Sequence, residues 1–319
     1  MNGLLYHNGG LGDFVLSMPA VLRLAAAYPG VAWSFWGPSD RRELLPGFGP
    51  PPADLVRRGH ELWGEAPGPE AVGALAAFSV VAAFGGSRPP AWVGHAPGQV
   101  VSVRSFPPAG GPWVPAFQTD QLDRAGVPRP PGPLLPEWRA RVLPRRSARW
   151  ILLHPGSGDP KKNFPPEFWG EVAGRVSQSL GLGVRVALGP AEVERGSGGW
   201  EALGPATACS GLRDLIGLLA GAALFLGNDG GPAHLAGALG VPTVVVFGPT
   251  DPALWRPLGP RVRWIRTREP CAPCTAGGPI RCADPRCLGG VDVAEVVAVA
   301  TSLVAEAPGQ GQGQTGPGR

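Results

Sequence analysis

The chain has 319 residues, among them 50 Gly, 40 Pro and 11 Trp, with 44% hydrophobic and only 16% charged residues. That length predicts about two domains. So much apolar residue with so little charge excludes a disordered chain despite the turn formers. A net charge of +4 excludes a dedicated nucleic-acid binder, so nucleic acid is not expected as a partner. The N-terminus shows no basic stretch followed by an apolar core, and the longest uncharged runs are broken by Gly, Pro and Asp229. Neither a signal peptide nor a membrane span is expected, and the expected compartment is the cytosol.

Taken in chain order, Leu4–His7 reads as a strand and Asn8–Gly12 as a glycine loop. A helix follows from about Asp13 to Tyr28, kinked at Pro19. Val31–Trp36, Ser79–Phe84 and Val100–Val103 read as further strands, separated by Pro/Gly-rich stretches without clear periodicity. Pro128–Arg149, with six prolines and a run of arginines, reads as a linker. The second half is clearer. Trp150–His154 is a strand; Pro165-Pro166 opens a helix that Gly181 closes. Val184–Leu188, Leu224–Leu226, Thr243–Phe247 and Val262–Ile265 are strands, and Leu212–Ala220, Pro232–Leu239 and Val293–Ala305 are helices. Strands alternating with helices at this spacing predict parallel sheets buried on both faces. The expected organisation is an α/β domain over residues 1–147, a second over 148–307, and a disordered Gly/Gln/Pro-rich tail over 308–319.

Three segments combine a strand end, small residues and a helix start, where open parallel sheets bind ligands. The first is Gly9-Gly10-Leu11-Gly12-Asp13. Its spacing departs from the dinucleotide fingerprint, which disfavours a nicotinamide enzyme. Asp13 suits either a capping role or acceptance of a proton from a substrate hydroxyl. The second is His154-Pro155-Gly156-Ser157-Gly158 followed by Lys161-Lys162-Asn163-Phe164-Pro165, which contains the only two lysines of the chain. Small residues and an ammonium suit a phosphate, although the spacing is not that of a Walker loop. The third is Asn228-Asp229-Gly230-Gly231-Pro232-Ala233-His234, where Asp229 is the sole formal charge between residues 215 and 250. The amides of Gly230 and Gly231 suit a diphosphate; His234 reads as a ligand contact or as a core histidine.

A fourth cluster is Cys271-x2-Cys274-x7-Cys282-x4-Cys287. Four thiolates suit a tetrahedral structural zinc, with disulfides and free thiols as the alternatives. The flanking arginines 256, 261, 263, 266 and 268 read as a solvated face, or as a surface for an anionic acceptor or a membrane.

These segments, in this order, resemble glycosyltransferase family 9, the heptosyltransferases of lipopolysaccharide core assembly. The likeness is carried by Gly12-Asp13 with Met18-Pro19-Ala20, by His154-Pro155-Gly156-Ser157 with Lys162-Asn163-Phe164-Pro165, and by Asn228–Ala236 running on to Gly240-Val241-Pro242 and Phe247-Gly248-Pro249-Thr250. The resemblance implies a GT-B fold: two Rossmann-like domains with parallel sheets facing a central cleft. The N-terminal domain would take a glycolipid or polysaccharide acceptor, and the C-terminal domain a nucleotide-diphospho-sugar, ADP-heptose foremost. It implies an inverting transfer that needs no metal for the chemistry, carried out at the inner face of the cytoplasmic membrane. Asp13 would be the general base and Lys162 the cation on the departing diphosphate. His154, Gly156, Ser157, Asp229, Gly230, Gly231 and His234 would complete the donor site, with Gly9, Gly10 and Gly12 on the acceptor side. Two departures are visible: Gly230 stands where the family commonly has Ser, and Arg213-Asp214 where a ribose-binding Glu is common. The rival readings are a nucleotide-sugar epimerase on the same fold and a non-catalytic sugar-nucleotide or glycan binder.

Overall fold

The computed structural model describes residues 1–63, 68–86, 88–143, 146–196, 199–274 and 280–306. The expected disordered tail, 308–319, lies outside them. The chain divides into two compact units, Met1–Trp138 and Arg139–Arg319. The division falls ahead of the boundary expected at residue 147.

The first unit opens with β1 (Asn2–His7), α1 (Leu11–Leu16), α2 (Met18–Ala27) and β2 (Ala32–Trp36). Then come α3 (Ala53–Arg58), α4 (Pro69–Leu75), β3 (Val80–Gly85), β4 (Gln99–Arg104) and α5 (Val114–Arg124), and α6 (Leu134–Val142) runs across the division at Trp138. Its four strands form one parallel sheet in the order β2-β1-β3-β4. Every residue of β3 is buried, as befits a strand covered on both faces. On one face Leu4, Tyr6, Val81 and Ala83 pack with Leu55, Leu62, Leu75, Phe78 and Trp92.

Two expectations change here. The single kinked helix is two helices joined at Ser17. Pro19 has no N–H to offer the preceding turn, and its fixed φ suits the second position of a new helix, which it occupies in α2. The expected linker contains α6, because Trp138 has a burial site: it is 3% exposed and its indole N–H donates to the Leu44 carbonyl at 2.7 Å.

The second unit runs β5 (Trp150–His154), α7 (Pro166–Leu180), β6 (Gly183–Leu188), α8 (Pro190–Glu194), β7 (Ala206–Ala208) and α9 (Leu212–Gly221). It continues with β8 (Ala222–Asn228), α10 (Gly231–Ala238), β9 (Thr243–Phe247), α11 (Pro252–Trp255), β10 (Val262–Arg266) and α12 (Val293–Ala305). All six strands are parallel, in the order β10-β9-β8-β5-β6-β7. Trp169, Val172, Ala173 and Val176 recur at helical spacing along α7 and are buried with Val296, Ala300 and Leu303 of α12 in one cluster. Trp169 is wholly buried, which alone contributes about 2–3 kcal/mol of hydrophobic stabilisation. The helix stops at Gly181, whose φ of 65° is the left-handed turn that glycine adopts at least cost.

This strand order places the site. From β5 the chain steps to β6 and β7 on one side, then crosses to β8, β9 and β10 on the other. The order reverses between β5 and β8, so the loops leaving their carboxyl ends part there and leave room for a ligand. The register sets His154 beside Gly227, which puts two of the sequence-identified loops side by side.

Candidate functional site

Asn228, the last residue of β8, ties those loops together. Its side-chain carbonyl accepts the Phe164 N–H at 3.3 Å, and its amide donates to the Pro155 carbonyl. Asp229 follows, 5% exposed. Its Oδ2 accepts from the Lys162 ammonium at 3.2 Å and from the Thr250 hydroxyl at 2.8 Å, while Oδ1 lies 3.3 Å from His234 Nε2. Burial alone would raise this carboxyl. The hydrogen bond from His234, the charges of Lys162 and His234, and the Thr250 hydroxyl outweigh burial and hold it at about 2. Asp229 is therefore a fixed anion, and Lys162 is fixed by it. Since Nε2 of His234 faces the carboxylate, Nδ1 is left buried without a hydrogen-bond partner among the described residues.

Gly230 caps α10, and Pro232 stands in its first turn. The first amides of a helix have no partner within it, so they are available to an anion. A Cβ on Gly230 would stand 3.7 Å from Ser157 Cβ, which shows how near the two loops lie.

The loop after β5 is held internally. The Ser157 hydroxyl lies 2.6 Å from both the Asp159 carbonyl and Asn163 Oδ1, so its one proton is spent within the loop. His154 is buried, with Nδ1 3.1 Å from the Gly156 carbonyl and Nε2 3.7 Å from Glu192 Oε2. Burial lowers its pKa, against the opposing pull of the Glu192 charge and the Gly156 carbonyl. Gly156 is required by packing: a Cβ there would overlap the Glu192 carboxylate. His154 and Ser157 thus shape the loop, while Lys162 supplies the cation that pairs with Asp229. Lys161 anchors it, donating to the Ile280 carbonyl at 2.8 Å.

Sequence reasoning missed three members of this region. Thr250 and Asn228 stand within recognisable motifs, but nothing in the sequence gives them a role. Glu192 had no signal, since it reaches the loop from α8, a helix of five residues. Glu192 Oε2 accepts the Gly189 N–H at 2.9 Å; Oε1 is buried without a hydrogen bond among the described residues, 3.6 Å from the Arg195 guanidinium. Arg213 and Asp214 lie in the first turn of α9, and the Asp214 carboxylate accepts from the Ser210 backbone and hydroxyl.

In the first unit, Gly9 and Gly10 link β1 to α1, and Gly12 and Asp13 lie in the first turn of that helix. Asp13 accepts the Gly10 N–H on Oδ2 at 3.1 Å, so its carboxylate closes the start of the helix.

None of the five cysteines is joined in a disulfide; Cys271 and Cys274 are exposed and Cys209 and Cys287 buried. Burial, and then the charges of Cys274, Cys271 and Cys282, push the Cys287 thiol up to about 11. Among the described residues no three His, Cys, Asp or Glu side chains come together as metal ligands would. Residues 275–279, inside the cysteine loop, lie outside them. Among the described residues no helix is long and apolar enough to cross a membrane.

Comparison with known proteins bears on this geometry. Residues 131–279 match the family model of glycosyltransferase family 9 (heptosyltransferase). Lipopolysaccharide heptosyltransferase 1 of Pseudomonas aeruginosa is 36% identical over 128 residues, 39% of this chain and 35% of that protein. The chain thus aligns with about a third of the length of the curated relatives it matches. Among solved structures, a family 9 glycosyl transferase from Veillonella parvula superposes with a TM-score of 0.71 at 17% identity, over 96% of this chain and 98% of that one. E. coli heptosyltransferase WaaC with ADP gives 0.66 at 19% identity, over 95% and 100%. Both share the fold, and the two parallel-sheet units are those of GT-B glycosyltransferases.

Proposed function

We propose, on the match of residues 131–279 to the family model of glycosyltransferase family 9, that the chain is an inverting glycosyltransferase of that family. It moves a sugar from a nucleotide-diphospho-sugar to a glycolipid or polysaccharide of the cell surface. Heptose is the leading sugar and ADP-heptose the leading donor, because the curated relatives are lipopolysaccharide heptosyltransferases. The acceptor class calls for work at the inner face of the cytoplasmic membrane, with peripheral contact.

The supporting observation is the ammonium of Lys162 held by the buried Asp229 beside the first turn of α10. As the bond from the sugar to the diphosphate breaks, the electron pair leaves with the diphosphate. A positioned cation and helix amides stabilise that charge where it develops. An ammonium has three protons; one serves Asp229, and two remain for phosphate oxygens. Asp229 acts through Lys162 as a positioning residue. The acceptor hydroxyl attacks the anomeric carbon from the face opposite the diphosphate and gives its proton to the Asp13 carboxylate. The proposed step uses no metal.

Thermal-shift titration with ADP, UDP, GDP and CMP tests the donor site, since a ligand that binds only the native state raises Tm with its concentration. ADP should stabilise selectively, and Lys162→Ala should lose the effect. Stabilisation by none of the four would overturn the donor assignment. Transfer from ADP-heptose to lipopolysaccharide lacking heptose, abolished in Asp13→Asn, tests the rest.

A further inference from the structure

His7 ends β1 directly before the glycine loop and is 1% exposed. Its ring packs edge-on against Phe14 at a centroid distance of 5.0 Å and lies 5.4 Å from Phe84. Both ring nitrogens are engaged. The Gly9 N–H donates to Nδ1 at 3.1 Å, so Nδ1 is the bare acceptor and the ring proton sits on Nε2. Nε2 lies 3.1 Å from the Ser17 hydroxyl, which donates in turn to the Asp13 carbonyl at 2.9 Å. The bonds therefore run in one direction: Gly9 N–H to His7, His7 to Ser17, Ser17 to Asp13.

These contacts grip α1 at both ends, at Gly9 before it and at Ser17 where it breaks from α2. The grip is needed. A helix of six residues does not hold itself in water, and α1 carries Asp13 in its first turn. The fit is close: a Cβ on Gly9 would stand 2.7 Å from His7 Cε1 and 2.9 Å from Asp13 Cβ.

We propose that His7, acting through Ser17, is the positioning residue that sets the orientation of Asp13 toward the acceptor hydroxyl. This rests on the reading of Asp13 as the general base. The chemistry of the position is restrictive. Lysine has no acceptor for the Gly9 N–H, a carboxylate no donor for Ser17, and phenylalanine neither. A protonated imidazole would turn a second N–H against that of Gly9. Burial, with the charge of Arg41 adding, keeps the ring neutral down to about pH 3.

The test uses Ser17→Ala as the mild variant, with His7→Gln, His7→Phe, Asp13→Asn and the double variants. The readouts are NMR titration of the Asp13 carboxyl carbon, hydrogen exchange of the Gly9 amide, and kcat and KM with ADP-heptose and heptose-free lipopolysaccharide. Ser17→Ala should shift the Asp13 titration and lower kcat about 10-fold or more, with donor KM changed by less than about twofold. His7→Gln, which can present an N–H to Ser17, should keep more activity than His7→Phe. In the Asp13→Asn background neither site should cost anything further. An unchanged Asp13 titration and kcat in Ser17→Ala, or an equal loss in the Asp13→Asn background, would overturn the proposal. Full transfer by Asp13→Asn would instead remove the general-base reading itself, which separates the two failures.

Discussion

The Lys162 ammonium stands 3.2 Å from Asp229 Oδ2, and the carboxylate is the more deeply buried partner. Removing the cation leaves a buried anion with the Thr250 hydroxyl and His234. Lys162→Ala should therefore lower stability by about 1–3 kcal/mol, below the range for wholly buried pairs because Lys162 is partly exposed. Chemical denaturation with and without ADP checks this. An unchanged midpoint would show that the pair is not formed in solution.

Acid stability should carry the signature of His7. Its folded pKa is lowered from 6.5 to about 3, so between those values the unfolded chain binds a proton that the native chain does not. Stability is full above about pH 6.5 and falls as pH drops toward 3, by several kcal/mol in all. His154, also lowered, adds in the same direction. Denaturation midpoints measured from pH 7 to 4 should decline in the native chain and flatten by about one proton's worth in His7→Gln. Equal slopes would refute the assignment.

Asp229 adds a loss in the same direction of pH, but in a lower window and because its ionised form is the stabilising one. Its folded pKa is depressed from 3.8 to about 2, so its stabilisation is complete above about pH 4 and is lost as pH falls through 2. Asp229→Asn should be destabilised at neutral pH, and its deficit should shrink on acidification through that window. A deficit independent of pH would count against an ionised Asp229.

Two glycines of the loops after β5 and β8 should respond differently to substitution. Gly156→Ala drives a methyl group into the buried Glu192 carboxylate and should cost about 2–4 kcal/mol. Gly230→Ser meets nothing nearer than 3.7 Å in a backbone that any residue adopts, and should fold with near-native stability. Melting temperatures of the two variants test the contrast directly.

Thiol chemistry separates the cysteines. Cys209 and Cys287 are held at about 11, chiefly by burial, so only on the order of one in a thousand is thiolate at pH 8. Exposed Cys271 and Cys274 should alkylate first, read by mass spectrometry of the digested protein. Stoichiometric zinc with uniform protection of the four loop thiols would instead favour a metal site.

Legibility in the sequence followed burial. The strands from Trp150 and Thr243 announced themselves because, covered on both faces, they are nearly continuous apolar runs. Ala206–Ala208 left no trace, being three small exposed residues that gain strand character only from β6 beside them. The α3–α5 region was obscure because Pro/Gly-rich connections interrupt its short helices. At the site, glycine spacing and the lone lysine pair marked the loops. The partners of Asp229 could be read only in part, since Lys162 lies 67 residues away and Thr250 lies 21 residues away. His7 appeared as the end of a strand; its role emerges only when Gly9 and Ser17 fold back onto its ring.

The strand order also bears on which strand edges are open to pairing with another molecule. β9 is a Thr-Val-Val-Val-Phe run, wholly buried, of the kind that templates intermolecular sheets when bared. Its outer neighbour β10 is the sheet edge, and it carries Arg263 and Arg266. Charge on an edge strand discourages pairing with another molecule. That edge is fastened to the end of α12: Arg263 pairs with Glu306 at 2.9 Å, and Arg261 donates to the Leu303 carbonyl at 2.6 Å. The opposite edge, β7, is only three residues long and too short to recruit a partner strand. The last turn of α12 therefore holds the charged edge strand in place. A chain cut before Leu303 should lose solubility on warming well before the loops after β5 and β8 lose their shape.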